Sequence, residues 1–368
     1  MRDLMLMHNR LICTGNFVRG DGEQSFCRIS RDERAVSEIL GTIMLLAMIM
    51  TIMGGVWIFL QPYMNDFEDN TNWSAAHGIA DRFEDRIEVA AIAPEGSGIR
   101  HNFALQSASI LPLRQVESWQ IQADITSFET VELERLSTTE FVVEARNETA
   151  RSIRFTTPIG IEEFNFTTIF GKNTFETTIE SDHWMIVDVL DADELILHRW
   201  ISWEISGIDI RTNLEQGEHR LALVNGGKAE VFSDNIWEVT YPTDLVIDQM
   251  AEGGLRLSVP LNDVILEKGL SSGSRSVDIV SGGQIVAFDQ EVWNVKFEMK
   301  NSIDAIITPQ YHESWLSDYT LNRASGTLAG FQGIAPFERA SGIDGFTVET
   351  NGESLFLDVS IQTLEVGD

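Results

Sequence analysis

Seven histidines, two cysteines and one dense run of acids are the residues here whose types suit chemistry. The histidines, His8, His77, His101, His183, His198, His219 and His312, are scattered. None stands in an HExxH, HxH or His–Cys arrangement, the spacings that bring two ligands to one zinc ion. Cys13 and Cys27 both fall in the first 35 residues. The long remainder therefore has neither a thiolate metal site nor a disulfide framework. No Walker loop and no GxGxxG after a strand occurs. Asp188, Asp191, Asp193 and Glu194 form the densest acidic cluster. It lacks the glycine and the distal Glu of an EF-hand, so a solvated acidic loop is the expectation and calcium binding the alternative. Trp184, Trp200, Trp203, Trp237, Trp293 and Trp315 supply aromatic surface for a glycan or another surface, or core filling, which is the more ordinary use. The expectation is a non-enzyme with no metal and no cofactor; a hydrolase assembled from scattered Asp, Glu and His is the distant rival.

The elements that must carry these residues begin with composition. The 368 residues include 57 Asp and Glu against 26 Lys and Arg, a formal net charge of −31. That excess repels phosphate backbones, so no nucleic-acid partner is expected. The acid is spread through a chain that is 43% hydrophobic, which argues for packed cores rather than a disordered tail. Residues 39–60 read ILGTIMLLAMIMTIMGGVWIFL, without a charge. At about 1.5 Å per residue such a helix crosses a hydrocarbon layer of about 30 Å. Arg28, Arg31 and Arg34 precede it and Asp66, Glu68 and Asp69 follow. Positive charge stays inside, which places the N-terminus in the cytoplasm and the bulk outside. The run is too long for a removable secretory signal and ends without a small-x-small site, so cleavage after it is not expected.

The residues before the helix, Arg31-Asp-Glu-Arg34-Ala35-Val36-Ser37-Glu38-Ile39-Leu-Gly-Thr42, set a charged patch against an apolar helix with a small residue at the boundary. This stretch resembles the class III signal peptide and N-terminal segment of archaeal type IV pilins and archaellins. The resemblance covers about 30 residues and does not reach the rest of the chain. It implies that a prepilin peptidase cuts at the cytoplasmic face after Arg34 and Ala35. Val36 would become the new N-terminus, and the helix would stay on the mature chain to pack beside other pilin-like subunits. The 35-residue leader is longer than that pattern usually has; Met5 and Met7 are alternative starts, and both cysteines would leave with it. Glu38 would be the third residue of the mature chain. Two roles stay open for it: pairing with a neighbouring subunit's α-amino group, or an ordinary interfacial Glu favoured by the helix dipole.

Beyond the helix, Pro62 is a kink point and Asn65–Asn72 a polar stretch suited to a break. From Trp73, the residues Ala75, Ala76, Ile79, Ala80, Phe83, Ile87, Val89 and Ala90 recur at three-to-four spacing, predicting a helical stalk. Asp81, Arg82, Glu84, Asp85, Arg86 and Glu88 fill much of its other face, and Ala93-Pro-Glu-Gly-Ser-Gly98 stops it. After residue 98 the pattern turns to period two, in Thr138–Ala145, Arg154–Thr157, Phe164–Phe170 and Leu355–Ile361, with turn signals between. Leu223–Tyr241 aligns without gaps on Ile279–Phe297 with six identities, among them Gly226/Gly282, Gly227/Gly283 and Trp237/Trp293. Each copy is expected to run strand, glycine turn, strand and a third strand carrying the Trp. Asn72, Asn147 and Asn165 open N-glycosylation sequons on the expected outer side.

The fold expected is α+β, an N-terminal transmembrane and stalk helix followed by a large antiparallel, sandwich-like β region. The divisions are a 1–35 leader, a 36–62 membrane helix, a 63–97 stalk and a 98–368 β region of one or two modules. The expected function is a pilin-like subunit of a surface filament or adhesion structure. The alternative is a single-pass membrane protein with an outer binding domain that does not polymerise.

Overall fold

The computed structural model describes residues 33–105, 107–127, 131–181, 183–233, 235–250, 255–271, 273–303, 310, 345–349 and 354–367. The leader through residue 32, with Met5, Met7, His8, Cys13 and Cys27, lies outside them, as do His312, Trp315 and the turns at Gly253-Gly254 and Asn351-Gly352.

Helix α1 runs Glu33–Ala91, 59 residues with Pro62 inside it. Pro62 removes one backbone donor, the one that would reach the carbonyl four residues back, and the helix continues past that single loss. The break suggested over Asn65–Asn72 is absent. The side chains that might have capped a break bond elsewhere: Thr71 Oγ1 donates to the Phe67 carbonyl at 2.8 Å, and the Asp69 carboxylate accepts the Glu215 N–H at 3.0 Å. After Ala91 the chain turns through Pro94 and Gly96, whose φ of 75° suits glycine. The chain divides at Pro62 into two compact units, residues 1–62 and 63–368.

Among the described residues, the second unit holds all the strands. β1 (Gly98–Ala104) and β2 (Ala108–Asp124) lead into five short ones, β3 (Val131–Arg135), β4 (Glu140–Ala145), β5 (Ser152–Thr156), β6 (Ile161–Asn165) and β7 (Gly171–Glu176). β8 (Trp184–Leu190) and the long β9 (Ile196–Leu214) precede β10 (Gly217–Val224), β11 (Gly227–Phe232) and β12 (Glu238–Tyr241). Then come β13 (Val246–Gln249), β14 (Leu255–Leu266), β15 (Leu270–Ser271), β16 (Ser274–Asn301), β17 (Gly345–Glu349) and β18 (Leu355–Gly367).

One sheet runs β12-β11-β10-β9-β2-β16-β18-β14-β13, and a small one runs β3-β4-β7. The 28-residue β16 turns the corner. Its Asp278–Val292 part pairs with β18 and its Trp293–Asn301 part with β2, with register shifts at Ser281/Gln284, Val286/Phe288 and Trp293/Lys296. Bulges of this kind let a strand pass from one layer to another. The largest core lies where the two parts face each other, around Trp119, Trp203, Phe288, Phe297, Leu357 and Val359. A second core packs Ile79, Phe83 and Ile87 of α1 against Phe103, Ile208, Ile210, Leu221 and Ile279. A third joins the small sheet to β5, β8 and β9 through Phe141, Phe155, Phe175 and Trp200.

Three expectations are corrected. The β region is not purely antiparallel, because β14 and β18 pair in parallel from Arg256↔Phe356 to Leu266↔Val366. The two similar segments do not share a conformation. In Leu223–Tyr241, Asn225 (φ 52°) and Gly226 (φ 72°) make a two-residue turn closing β10 on β11, with Val224 opposite Gly227. In Ile279–Phe297 the chain stays in β16, and Gly283 (φ 100°) and Asn294 (φ 51°) have positive φ there, each at a register shift. Asn tolerates the left-handed conformation that this hairpin needs. Ser281 instead exchanges backbone bonds with Gly96 and Ser97 and takes a bond from Gln362. Finally, Phe164–Phe170 is a strand only as far as Asn165. The side chain of Asn173 gathers the backbone and hydroxyls of Thr167 and Thr168 into a loop.

Candidate functional site

In the first unit, the backbone of residues 34–36 lies in the first turn of α1, which begins at Glu33; the side chains of Arg34, Ala35 and Val36 lie outside the described residues. Glu38 is exposed, one turn further on, and Thr42 Oγ1 donates to the Ile39 carbonyl at 2.8 Å. From Ile39 to Leu60 the large apolar side chains are all solvent-facing, with Ile58 72% and Met50 67% exposed. A buried core helix would show one covered stripe; here no face is covered within the chain. Among the described residues this is the one helix long and apolar enough to cross a membrane. Such a surface is stable only in hydrocarbon or against other apolar helices.

In the second unit the same helix is held differently. Ala76, Ile79, Ala80, Phe83, Ile87 and Ala90 are buried, while Val89 is half exposed. Beside that stripe runs a ladder of polar and aromatic groups about one turn apart. Asp69 accepts the Glu215 N–H. Trp73 stacks on His219, with planes 6° apart, and meets His77 edge-on. His77 Nε2 lies 3.4 Å from Glu230 Oε2. Asp81 accepts from Lys228 Nζ at 2.8 Å, and Glu84 accepts from the Tyr241 hydroxyl. Lys228 is nearly enclosed, with 6% of its side chain exposed, so its charge depends on Asp81. Asp81 and Glu84 therefore bond to β11 and β12 from the edge of the helix's other face, where Asp81 keeps 63% of its side chain exposed.

Glu117, Asp124 and Asp263 are among the carboxylates buried between the strands. Glu117 is fully enclosed and accepts from Trp119 Nε1 at 2.9 Å, Asn225 Nδ2 at 3.0 Å and Asn301 Nδ2 at 3.4 Å. Burial pushes its carboxyl up to about 7 against the pull of those three donors. Asp124 accepts from His198 Nδ1 at 2.7 Å and from Asn294 Nδ2 at 2.7 Å, tying β2, β9 and β16 together at the corner. Asp263 accepts the Ser206 N–H at 2.8 Å, and burial pushes its carboxyl up to about 6.

Ser206 and His183 line a cleft of about 460 Å³, with Leu113, Gln115 and Glu267, at a bulge in β2 where Gln115 has φ 51°. Ser206 and His183 thus share this cleft, with Asp263 bonded to the Ser206 backbone, the three residue types of a Ser–His–Asp relay. The relay is not formed. Asp263 bonds the serine backbone rather than an imidazole, and among the described residues no hydrogen bond joins the His183 ring to Ser206 Oγ, which accepts from the Gln115 N–H. Sequence reasoning did not find this cleft, because its residues come from β2, β9, β14 and the approach to β8, far apart in the chain.

Neither a family model, nor a curated protein, nor a solved structure matches this chain. The remaining sequence candidates fall apart in space or into structural roles. Asp188 is buried in β8 and bidentate to Arg199 at 2.6 and 2.9 Å, while Asp191 Oδ1 accepts the N–H groups of Asp193 and Leu195 in its own turn. Neither the calcium reading nor a wholly solvated loop describes them. Trp119, Trp200, Trp203 and Trp237 are buried, and Trp184 stacks on Trp203 with planes 3° apart. Asn72 is half-buried in α1. Asn147 is half-buried in a turn, where its Oδ1 accepts the Thr149 N–H, and Asn165 is exposed at the end of β6.

Proposed function

We propose that this chain is a pilin-like subunit of an archaeal cell-surface filament or adhesion structure, cut by a prepilin peptidase between Ala35 and Val36. The observation that carries the reading is the helix from Ile39 to Leu60, uncharged and uncovered on every face, directly after the Arg34-Ala35-Val36-Ser37-Glu38 junction. After cutting, that helix would anchor in the membrane or pack against the same helix of other subunits, and Glu38 would meet a neighbour's new α-amino group at the membrane edge. The β-rich region 98–368, with its acidic surface, would face outward and supply adhesion. No catalytic step, cofactor or nucleic acid enters the role. Residues 34–36 form the helix's first turn, so a peptidase acting there would have to unwind that turn to reach the Ala35–Val36 bond.

The test is the N-terminal sequence of protein extracted from membranes of the native host. A start at Val36 supports the reading, and sheared filaments containing the chain support polymerisation. An intact leader overturns processing and leaves a single-pass membrane protein with an outer binding domain.

A further inference from the structure

The first two docked turns of α1 end in a cluster whose chemistry differs from the apolar stripe beyond it. Trp73 lies flat on His219 of β10, and His77 stands against the edge of the same indole. Phe232 of β11 meets His219 edge-on, its ring centre 4.7 Å away. His219 Nδ1 is buried and finds no partner among the described residues; Thr212 Oγ1, on the residue paired with it in β9, is in the same position. An imidazole held this way is accommodated neutral. Protonation would enclose a charge between two aromatic rings with no carboxylate bonded to it.

The other charged groups on this face are few. From α1 come Asp69, bonded to the Glu215 N–H, then His77 and Asp81. From β11 come Glu230, beside His77, and Lys228, which Asp81 holds. β9 presents Thr212 and Ile210 there, and strand alternation turns Asp209 and Arg211 to the opposite face, where they pair. β12 adds the Tyr241 hydroxyl, bonded to Glu84. Glu230 and Asp81 partly compensate a charged His77, and Lys228 opposes it. Nothing of opposite sign is bonded to His219.

We propose that His219 and His77, with Trp73 packed on both, form an acid-operated latch that holds residues 69–77 of α1 on β10 and β11 at neutral pH and releases them on acidification. The stretch Ile79–Ala90 stays docked, because its hold is the apolar stripe. Burial lowers both imidazoles from their ordinary value, His219 to about 4, with the neighbouring His77 adding to it. The sign follows. Histidines that bind protons less readily docked than free stabilise docking above the free value near 6.5, and that stabilisation is lost as pH falls below it.

Hydrogen–deuterium exchange on the full-length protein in detergent tests this, comparing pH 7 with pH 5 after correction for intrinsic exchange. Amides of residues 70–78 should lose about tenfold in protection at pH 5, while those of 83–90 keep theirs. His219→Gln should abolish the loss. Should that variant fail to fold, Glu230→Gln serves instead: removing the acid beside His77 should move release to higher pH. Unchanged protection of 70–78 in the wild type overturns the latch. So does an equal loss in His219→Gln, or a release pH that Glu230→Gln leaves where it was.

Discussion

Residues 39–60 and residues 69–90 belong to one helix, yet they obey different physics. The first stretch has no charge and no covered face; the second has a charge at nearly every turn and six buried side chains. Hydrophobic content alone would rank the first as the more buried. What covers a side chain is the surface presented to it, and only the second stretch meets strands spaced to receive it: Leu221 and Leu223 for its apolar stripe, His219, Lys228 and Glu230 for its polar ladder. The uncovered stretch must find its apolar partner outside the chain, in lipid or in other helices.

The contrast breaks most sharply at Phe83. Truncation to Ala should cost the second unit about 3–5 kcal/mol, the range for large-to-small changes at buried aromatics. Ile52→Ala, made on the uncovered stretch, should leave the denaturant midpoint of that unit unchanged. The opposite experiment charges the first stretch. Leu46→Arg should cost about 2.5–3.5 kcal/mol of membrane insertion, read as protein released by alkaline extraction. The unfolding of residues 63–368 should not move.

A third prediction concerns the strands beneath the docked helix. The carboxyl of Glu117 holds its proton more readily folded than unfolded. Its contribution is therefore complete below pH 4.5 and is lost as pH rises through about 7, a decline of up to about 3 kcal/mol. Glu117→Gln keeps an oxygen for Trp119 and Asn225 and should flatten that decline in unfolding curves taken from pH 5 to 8. Asp263, raised to about 6, contributes a smaller slope of the same sign. The smallest effect is expected at Asp81. Asp81→Ala leaves the Lys228 ammonium enclosed without its carboxylate, but Asp81 is itself 63% exposed. The cost should be about 1 kcal/mol in a thermal melt, and Lys228→Met in the same background should recover part of it.

The helix and its stripe were legible because both are periodic: an uncharged run of 22, then Ala76, Ile79, Ala80, Phe83, Ile87 and Ala90 at the spacing of one helical face. The ladder was written at nearly the same spacing, in Asp69, Trp73, His77, Asp81 and Glu84. Its mixed chemistry resembles a solvent face unless β10–β12 are already in place. Glycine pairs did not distinguish a hairpin from a bulge. Asn225-Gly226 reverses the chain where Gly282-Gly283 only offsets it, and the deciding partners of Ser281, on residues 96, 97 and 362, are remote in sequence. The parallel pairing of β14 with β18 left no local signal, since alternation is the same in either direction. Nor could any spacing rule assemble Ser206, His183 and Asp263 from three parts of the chain.

The position of β18 between β16 and β14 has a consequence in time. Roughly 90 residues separate Leu266, the end of β14, from Leu355, the start of β18. At about 5–20 residues per second, a ribosome needs on the order of 5–20 s to supply them. Throughout that interval β14 carries an unpaired edge, β16 carries one from the time Asn301 is made, and the interior around Phe288 lacks one wall. Such edges readily join a neighbouring chain. Synthesis, rather than the finished protein, is therefore the stage at which this molecule most needs a chaperone.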